Sequence, residues 1–415
     1  MPAKKIFNDP VYGFIAVPYG LIFDLVEHPY FQRLRRIKQV SLSHYVYPGA
    51  LHTRFHHALG AFHLMSQAIA VLRSKGTEIS EEEATAVSAA ILLHDIGHGP
   101  FSHTLEHTLL HVSHEQLSLG FMELLNREFG GALEMAIAIF QDRYPKPFLH
   151  QLVSGQLDMD RLDYLSRDSF FTGVYEGVVG YDRIIKMLAV HNNKLVVEEK
   201  GIYALEKFLT ARRLMYWQVY LHKTVLAAEQ MLVQTLRRAR MLGQAGENVP
   251  CPGPLSFFLH RDTGAGDFEH HREALLRQFA NLDDYDVMSA LKSWTTHSDK
   301  LLAFLSEGLI NRRLFKLELS GTPFPEAYLS ALRESVAAQW PAEPDAQEVL
   351  VLSGTESNSA YNTAQGEIDI LFKNGEVRPM SESTDYEMHP KTVTKYYVAY
   401  PKVNRIYLPD HFTGK

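Results

Sequence analysis

The stretch LLHDIGHGPFSH, residues 92–103, decides how this chain is read. His94 and Asp95 stand side by side at the end of an apolar run, and His98 and His103 follow closely. With Ile91, Leu92, Leu93 and Ile96 around them, His94 and Asp95 are expected to be buried, where an unpaired charge is strongly unfavourable. A divalent ion satisfies several such groups at once, whereas an exposed ion pair contributes only about 0–1 kcal/mol. Upstream, Arg54, Phe55, His56 and His57 add imidazoles, and an Asp-rich segment beginning near Asp160 adds carboxylates. Nitrogen and oxygen donors of these kinds hold catalytic divalent ions, which implies a metal-dependent hydrolase.

Of the 21 histidines in the chain, 11 fall between His44 and His114, so imidazoles concentrate around this stretch. His63, His107 and His111 read as ordinary surface positions on helices. The 415 residues are 46% hydrophobic and 21% charged, a globular composition. Cys251 is the sole cysteine, which excludes an intramolecular disulfide and a thiolate zinc site. A formal net charge of −7 argues against a broad nucleic-acid-binding face while leaving room for a local basic pocket. The opening MPAKKIFNDPVYGF lacks the apolar core of a signal peptide, and no window approaches the roughly 18 consecutive apolar residues of a membrane span. The expectation is a cytoplasmic protein with no membrane association.

Working outward, the first half reads as helical. Leu59, Phe62, Met65, Ile69 and Leu72 recur at three- and four-residue steps and predict an amphipathic helix over 58–74. Ser80 followed by Glu81, Glu82 and Glu83 is an N-cap with an acidic first turn, opening a helix that runs to His94 and is broken by Gly97, Gly99 and Pro100. Further helices are expected over 103–111, 114–128, 160–168 and, as one long run without Pro or Gly, 203–242. Residues 249–254 and 263–266 read as a linker or exposed loop, followed by helices over 283–294 and 299–311. Beyond residue 312 short β-branched or aromatic runs at 315–319, 348–352, 367–372 and 395–400 predict strands. The expected fold is mainly α, with a helical part over 1–312 and a smaller α+β part over 313–415.

Helical geometry also groups ligand-binding side chains. Arg161, Tyr164 and Asp168 share one face with Asp160, and on the long helix Arg212, Tyr220 and Lys223 also share a face. Arginine and lysine bind phosphate oxygens by charge-assisted hydrogen bonds, and a tyrosine can pack on a sugar. Histidine delivers protons near neutral pH because its unperturbed pKa is about 6.5. His98, His103 and His114 are the candidates for that work.

The order Arg54-Phe55-His56-His57, His94-Asp95, Asp160 resembles the HD-domain phosphohydrolase superfamily. IKQVSLSHYVYPGALHTRFHHALG, LLHDIGHGPFSHTLE, SHEQ, DMDRLDYLSRD and YLHK, over roughly residues 5–311, are similar in order and spacing to one branch. That branch is the deoxynucleoside triphosphate triphosphohydrolases, which include the animal enzyme carrying a sterile alpha motif. The resemblance implies an HD-domain helical core and one divalent ion (Mn, Mg, Fe or Zn) held by His57, His94, Asp95 and Asp160. It implies His114 and His103 as the main acid/base pair, with His98 beside them and Glu106 orienting His114 where the animal enzyme has Asp. It assigns Gln39, Arg54, Arg161, Tyr164, Asp168, Arg212, Tyr220 and Lys223 to a dNTP site. It further implies a guanine-nucleotide activator (GTP or dGTP) at Lys5, Ile6, Asn8, Glu27, Gln32, Arg35 and Phe55, and a homo-oligomer, dimer or tetramer. Glu27 stands for an Asp there, Arg161 for a Lys, Leu221 for a Gln, and Val40-Ser41 for Leu-Gly, so phosphate binding is expected to persist while base selectivity differs.

The alternatives are an HD hydrolase of another phosphoester, such as a guanosine alarmone or single-stranded nucleic acid, and a nucleotide-sensing module without turnover. The full histidine set argues against the sensor. Lys395, Lys402 and Arg405 are C-terminal cations within a region whose spacing is not diagnostic.

Overall fold

Ser80 and Glu83 close a reciprocal cap, with the Ser80 amide donating to Glu83 Oε2 at 2.8 Å and the Glu83 amide to Ser80 Oγ at 3.1 Å. The helix they start, Glu81–Leu93 (α2), is buried along its whole second half. It lies against Arg54–Ser74 (α1), whose Ala58, Leu59, Phe62, Met65, Ile69 and Leu72 form the apolar stripe read from the sequence. His114–Glu128 (α3), capped by Ser113, and Met159–Thr172 (α4), capped by Asp158, complete the frame around the histidine-rich stretch. α4 packs along α1 so closely that a Cβ at Gly60 would fall on the Asp163 carboxylate and the Arg167 guanidinium. Gly173, at φ 73°, ends α4 in the left-handed conformation that glycine adopts without strain.

This computed structural model describes residues 4–106, 108–261, 265–358, 366–384 and 392–402. His107 and Arg405 lie outside the described residues. The predicted mainly α fold is observed, with strands gathered into three small sheets. An N-terminal hairpin pairs Lys4–Asp9 (β1) with Gly13–Pro18 (β2). Leu188–His191 (β3) and Lys194–Glu198 (β4) form a hairpin that Asp369–Leu371 (β7) extends in parallel and Val377–Pro379 (β8) closes. Lys316–Ser320 (β5), Val393–Tyr400 (β9) and Leu352–Asn358 (β6) form an antiparallel sheet in that order. Strands from both sides of residue 312 therefore share the second sheet. Among the described residues no helix is long and apolar enough to cross a membrane.

Four local expectations change. Among the described residues the predicted helix over 103–111 is absent: residues 94–106 and 108–113 form turns and loop, with Phe101 and His103 at φ 48° and 61°. The Phe101 amide donates to Asp284 Oδ1 at 2.9 Å, a tertiary bond that helical propensity cannot anticipate. The long helix over 203–242 breaks into Ile202–Met215 (α5) and Lys223–Gln244 (α6), joined by a wide turn at Tyr216–Tyr220 and an extended His222 whose ring caps the Thr224 amide at 3.1 Å. The presumed linker is partly helical, because Pro254 opens Gly253–Leu259 from a position where its missing N–H is harmless, and Ala265–Phe279 follows. The strand expected at 348–352 is instead a helical turn, Ala346–Leu350, and strand geometry starts at Leu352.

Candidate active site

Two imidazoles and two carboxylates from three segments converge at the centre of this frame. His57 sits one turn into α1, His94 and Asp95 follow the last turn of α2, and Asp160 lies in the first turn of α4. His57 Nε2 is 3.1 Å from Asp160 Oδ1, 3.4 Å from His94 Nε2 and 3.6 Å from Asp95 Oδ2. His94 Nε2 is 3.4 Å from both Asp95 Oδ1 and Asp160 Oδ1. Donors bound at about 2.1 Å around one octahedral or tetrahedral ion lie about 3–3.4 Å apart, which is the spacing seen. The tautomers agree: His57 Nδ1 faces Asp163 Oδ2 at 2.8 Å and His94 Nδ1 faces the Ile91 carbonyl at 2.6 Å. Both outer nitrogens meet acceptors and carry the protons, so both Nε2 lone pairs point inward together with carboxylate oxygens. Such an inward-facing donor set calls for positive charge among its members. Burial pulls the His57 imidazole down, yet hydrogen bonds to Asp160 and Asp163 outweigh it and push it up to about 10. The residues present therefore fit a divalent ion. His56 turns away, its Nδ1 accepting the Thr53 amide at 3.1 Å as part of the α1 cap.

Asp163 was not singled out by the sequence, although it lies within DMDRLDYLSRD. Fully buried, it receives His57 Nδ1 on one oxygen and two Arg167 bonds of 3.0 Å, and Arg167 continues to Asp9 at the end of β1 at 2.7 Å. Carboxylates behind metal-bound histidines fix the ring and raise its basicity. Replacing Asp163 with Ala is therefore expected to weaken divalent-ion affinity about 10–100-fold, read by titrating Mn²⁺ into metal-free protein. Unchanged affinity would remove Asp163 from this role.

The second cluster is His98, His103, His114 and Glu106. Glu106 Oε1 accepts both the His114 amide at 3.0 Å and His114 Nδ1 at 2.8 Å, and Glu106 Oε2 lies 3.4 Å from His103 Nδ1. The extra methylene of Glu relative to Asp thus still reaches His114. The His98 ring stacks on His114 with centroids 4.1 Å apart and bonds Asp95 Oδ1 at 3.2 Å. Burial, and then the Arg54 charge, hold the His98 imidazole well below its ordinary value. For His114 burial acts downward, but the Glu106 bond and the Asp95 charge prevail and raise it. Stacked imidazoles with opposite shifts divide proton work between a neutral ring and a charged one. His103, at positive φ and 67% exposed, stands at the edge of the group.

These residues open onto a cavity of about 520 Å³. Of the side chains expected at a substrate site, Gln39, Arg54, Arg161, Tyr164, Asp168, Arg212 and Tyr220 line it. Lys223 does not: the break between α5 and α6 destroys the shared face, and Lys223 is exposed at the start of α6. Arg54 bonds Asp95 and reaches Ser102 Oγ at 2.8 Å, so it also orients a member of the ion-binding set. Arg161 pairs with its own helix cap Asp158, while Nε of Arg161 and of Arg212 and Oε1 of Gln39 are buried without a partner among the described residues. Asp168 is held by His52 Nε2 and the Tyr220 hydroxyl, each at 2.7 Å. Tyr216, Glu229 and Glu356 lie outside the quoted motifs, whereas His52 lies inside one, two residues before Arg54, and was not singled out.

At the other expected nucleotide site, the Arg35 guanidinium lies over the Phe55 ring at 3.5 Å and donates to Gln32 Oε1 at 2.8 Å. The Glu27 charge acts on Arg35. Phe7 of β1 meets Phe55 edge-on at 6.3 Å, and Lys5, Ile6 and Asn8 are exposed on the same strand. At the C terminus, Lys395 Nζ sits 3.8 Å from the Trp217 ring centre.

Residues 54–168 match the HD domain family and residues 179–247 the HD associated region. The crystal structure of a phosphohydrolase from Bacteroides thetaiotaomicron is 53% identical, with a TM-score of 0.93 covering 96% of this chain and 100% of that one. The uncharacterized protein YwfO of Bacillus subtilis is 30% identical over 96% of this chain and 92% of its own length. The Dictyostelium discoideum homologue of the deoxynucleoside triphosphate triphosphohydrolase SAMHD1 is 31% identical over 60% of this chain; this chain spans 52% of that relative. The HD-domain match and an alignment spanning a whole solved phosphohydrolase lead to one assignment: this chain belongs to the HD-domain phosphohydrolase family.

Proposed function

We propose that this hydrolase cleaves dNTPs to deoxynucleoside and inorganic triphosphate. One observation carries the reading: a single cavity is lined by Asp95 and Asp160 together with Arg54, Arg161 and Arg212 and with His98, His103 and His114. His57, His94, Asp95 and Asp160 would hold one divalent ion, of the Mn, Mg, Fe or Zn type, and that ion would supply Lewis acidity at the phosphate. Arg161, Arg212 and Arg54 take the phosphate oxygens, using guanidinium nitrogens that lack protein partners in the first two cases. Tyr164 and Tyr220 flank the sugar, and Gln39 and Asp168 accept or donate beside it. Water oxygen bonds to the α-phosphorus and releases a proton to bulk solvent, the bond from phosphorus to the 5′ oxygen breaks, and that oxygen takes a proton. His114 Nε2 delivers it, since Nδ1 is committed to Glu106. The SAMHD1 relatives, named for dNTP triphosphohydrolysis, support the choice of substrate.

The Gln32, Arg35 and Phe55 cluster, with Glu27 and the β1 residues Lys5, Ile6 and Asn8, is proposed to take a GTP or dGTP activator at an interface of a dimer or tetramer. A cytoplasmic setting, without membrane or nucleic-acid partners, completes the proposal. The test is to incubate the protein with each dNTP and rNTP and Mn²⁺ or Mg²⁺, alone and with GTP or dGTP, and identify products. Triphosphate with deoxynucleoside is expected. Pyrophosphate, monophosphates or shortened oligonucleotides would move the chain to another phosphoester, and binding without product would make it a sensor.

A further inference from the structure

The cavity has two chemical characters. Arg54, Arg161 and Arg212 belong to its cationic part, and each has its own carboxylate or amide neighbour: Asp95, Asp158 and Gln156. Glu229, in the second turn of α6, lines the same space under different conditions. The groups acting on its carboxyl are the hydroxyls of Thr104 and Ser41 and the Glu356 carboxylate of β6; none is a cation. The two hydroxyls bond each other at 2.9 Å, which fixes them as a pair beside Glu229. Burial pushes the Glu229 carboxyl up to about 7, and burial raises Glu356 as well. Such a wall offers a triphosphate no cation to pair with. The ligand that fills both parts carries anionic charge at one end and hydrogen-bond donors at the other.

We infer that Glu229, braced by Ser41 and Thr104, reads the nucleobase and selects bases that carry an exocyclic amino group. This rests on the nucleotide reading above. Guanine, adenine and cytosine each present amino hydrogens to an acceptor, whereas thymine sets carbonyl oxygens and a single ring N–H against it. Gln39, whose Oε1 is buried without a partner in the same cavity, adds a second acceptor. Ser41 stands where the resembling enzymes have Gly, so the hydroxyl that braces Glu229 is a departure of this chain.

The test measures equilibrium binding of dGTP, dATP, dCTP and dTTP without added divalent ion, and kcat/KM with Mn²⁺, for wild type, Glu229→Ala and Glu229→Gln. Wild type is expected to bind the three amino-bearing nucleotides about tenfold or more tightly than dTTP. In Glu229→Ala those ratios fall towards one. The isosteric Glu229→Gln, a safeguard if the Ala variant fails to fold, loses one acceptor and lowers the dGTP preference most. The change should sit in KM and affinity rather than kcat. Equal wild-type affinities, or ratios that survive both substitutions, overturn the inference. Discrimination in binding without hydrolysis of any dNTP overturns the proposed reaction and leaves the base-reading role standing; failure to bind any dNTP overturns both.

Discussion

His94→Ala is expected to lose both the divalent ion and turnover, with hydrolysis falling to about a thousandth of wild type or less. His94 is the cleaner of two ligand substitutions. Its outer nitrogen meets only the Ile91 carbonyl at the end of α2, so truncation frees one helix-end acceptor and opens little else. Asp95→Ala should abolish the same two readouts for the same reason, yet it also strands Arg54 and His98, both buried and both bonded to Asp95. Breaking a buried pair by removing one partner costs about 3–5 kcal/mol, so Asp95→Ala should also lower the melting temperature. Asp95→Asn separates the effects: it keeps shape and hydrogen bonding while removing the charge. Metal content by elemental analysis and triphosphate release by chromatography give the two readouts. A full complement of metal with normal turnover in His94→Ala would mean that the imidazole is not a ligand.

Local chemistry explains which features could be read from residues and which could not. α1 and α2 were legible from local signals, α1 by its apolar stripe and α2 by the Ser80 cap with Glu83. His94 and Asp95 could be read as inward-facing because they follow an apolar run, and the structure brings them beside His57 and Asp160. What was missed depends on contacts distant in sequence. The bulge at Tyr216–Tyr220 contains neither Pro nor Gly; it is held by the Tyr220 bond to Asp168 and the Tyr47 bond to the Gln218 carbonyl, far apart along the chain. Lys223 was misplaced by that same bulge, since helical arithmetic holds only on a continuous helix. The loop after His94 follows the same logic, with Asp284, distant in sequence, holding the Phe101 amide. Glu229 has no motif at all: a glutamate on a helix usually faces water, and only the approach of Ser41, Thr104 and Glu356 turns it into a cavity wall.

His114→Ala is expected to keep its metal and lose turnover, by about 10²–10⁴-fold in kcat. The retention follows from geometry, because the ligand atoms sit on α1, α4 and the end of α2, while His114 opens α3 and bonds Glu106. The loss follows from proton supply. The leaving 5′ oxygen needs a proton, and of the two stacked rings His114 is the one raised above 6.5, with burial opposed by the Glu106 bond and the Asp95 charge. An acid must be protonated to work, so activity should hold below the raised pKa of His114 and fall as pH climbs through it. Glu106→Gln removes the carboxylate that raises that pKa, so the alkaline limb should move to lower pH while metal content stays intact. A merely structural role for Glu106 would lower kcat at every pH and leave the limb in place. If His114→Ala retains turnover, or the limb does not move in Glu106→Gln, the proton comes from elsewhere, and His103, 3.4 Å from the same carboxylate, becomes the residue to test.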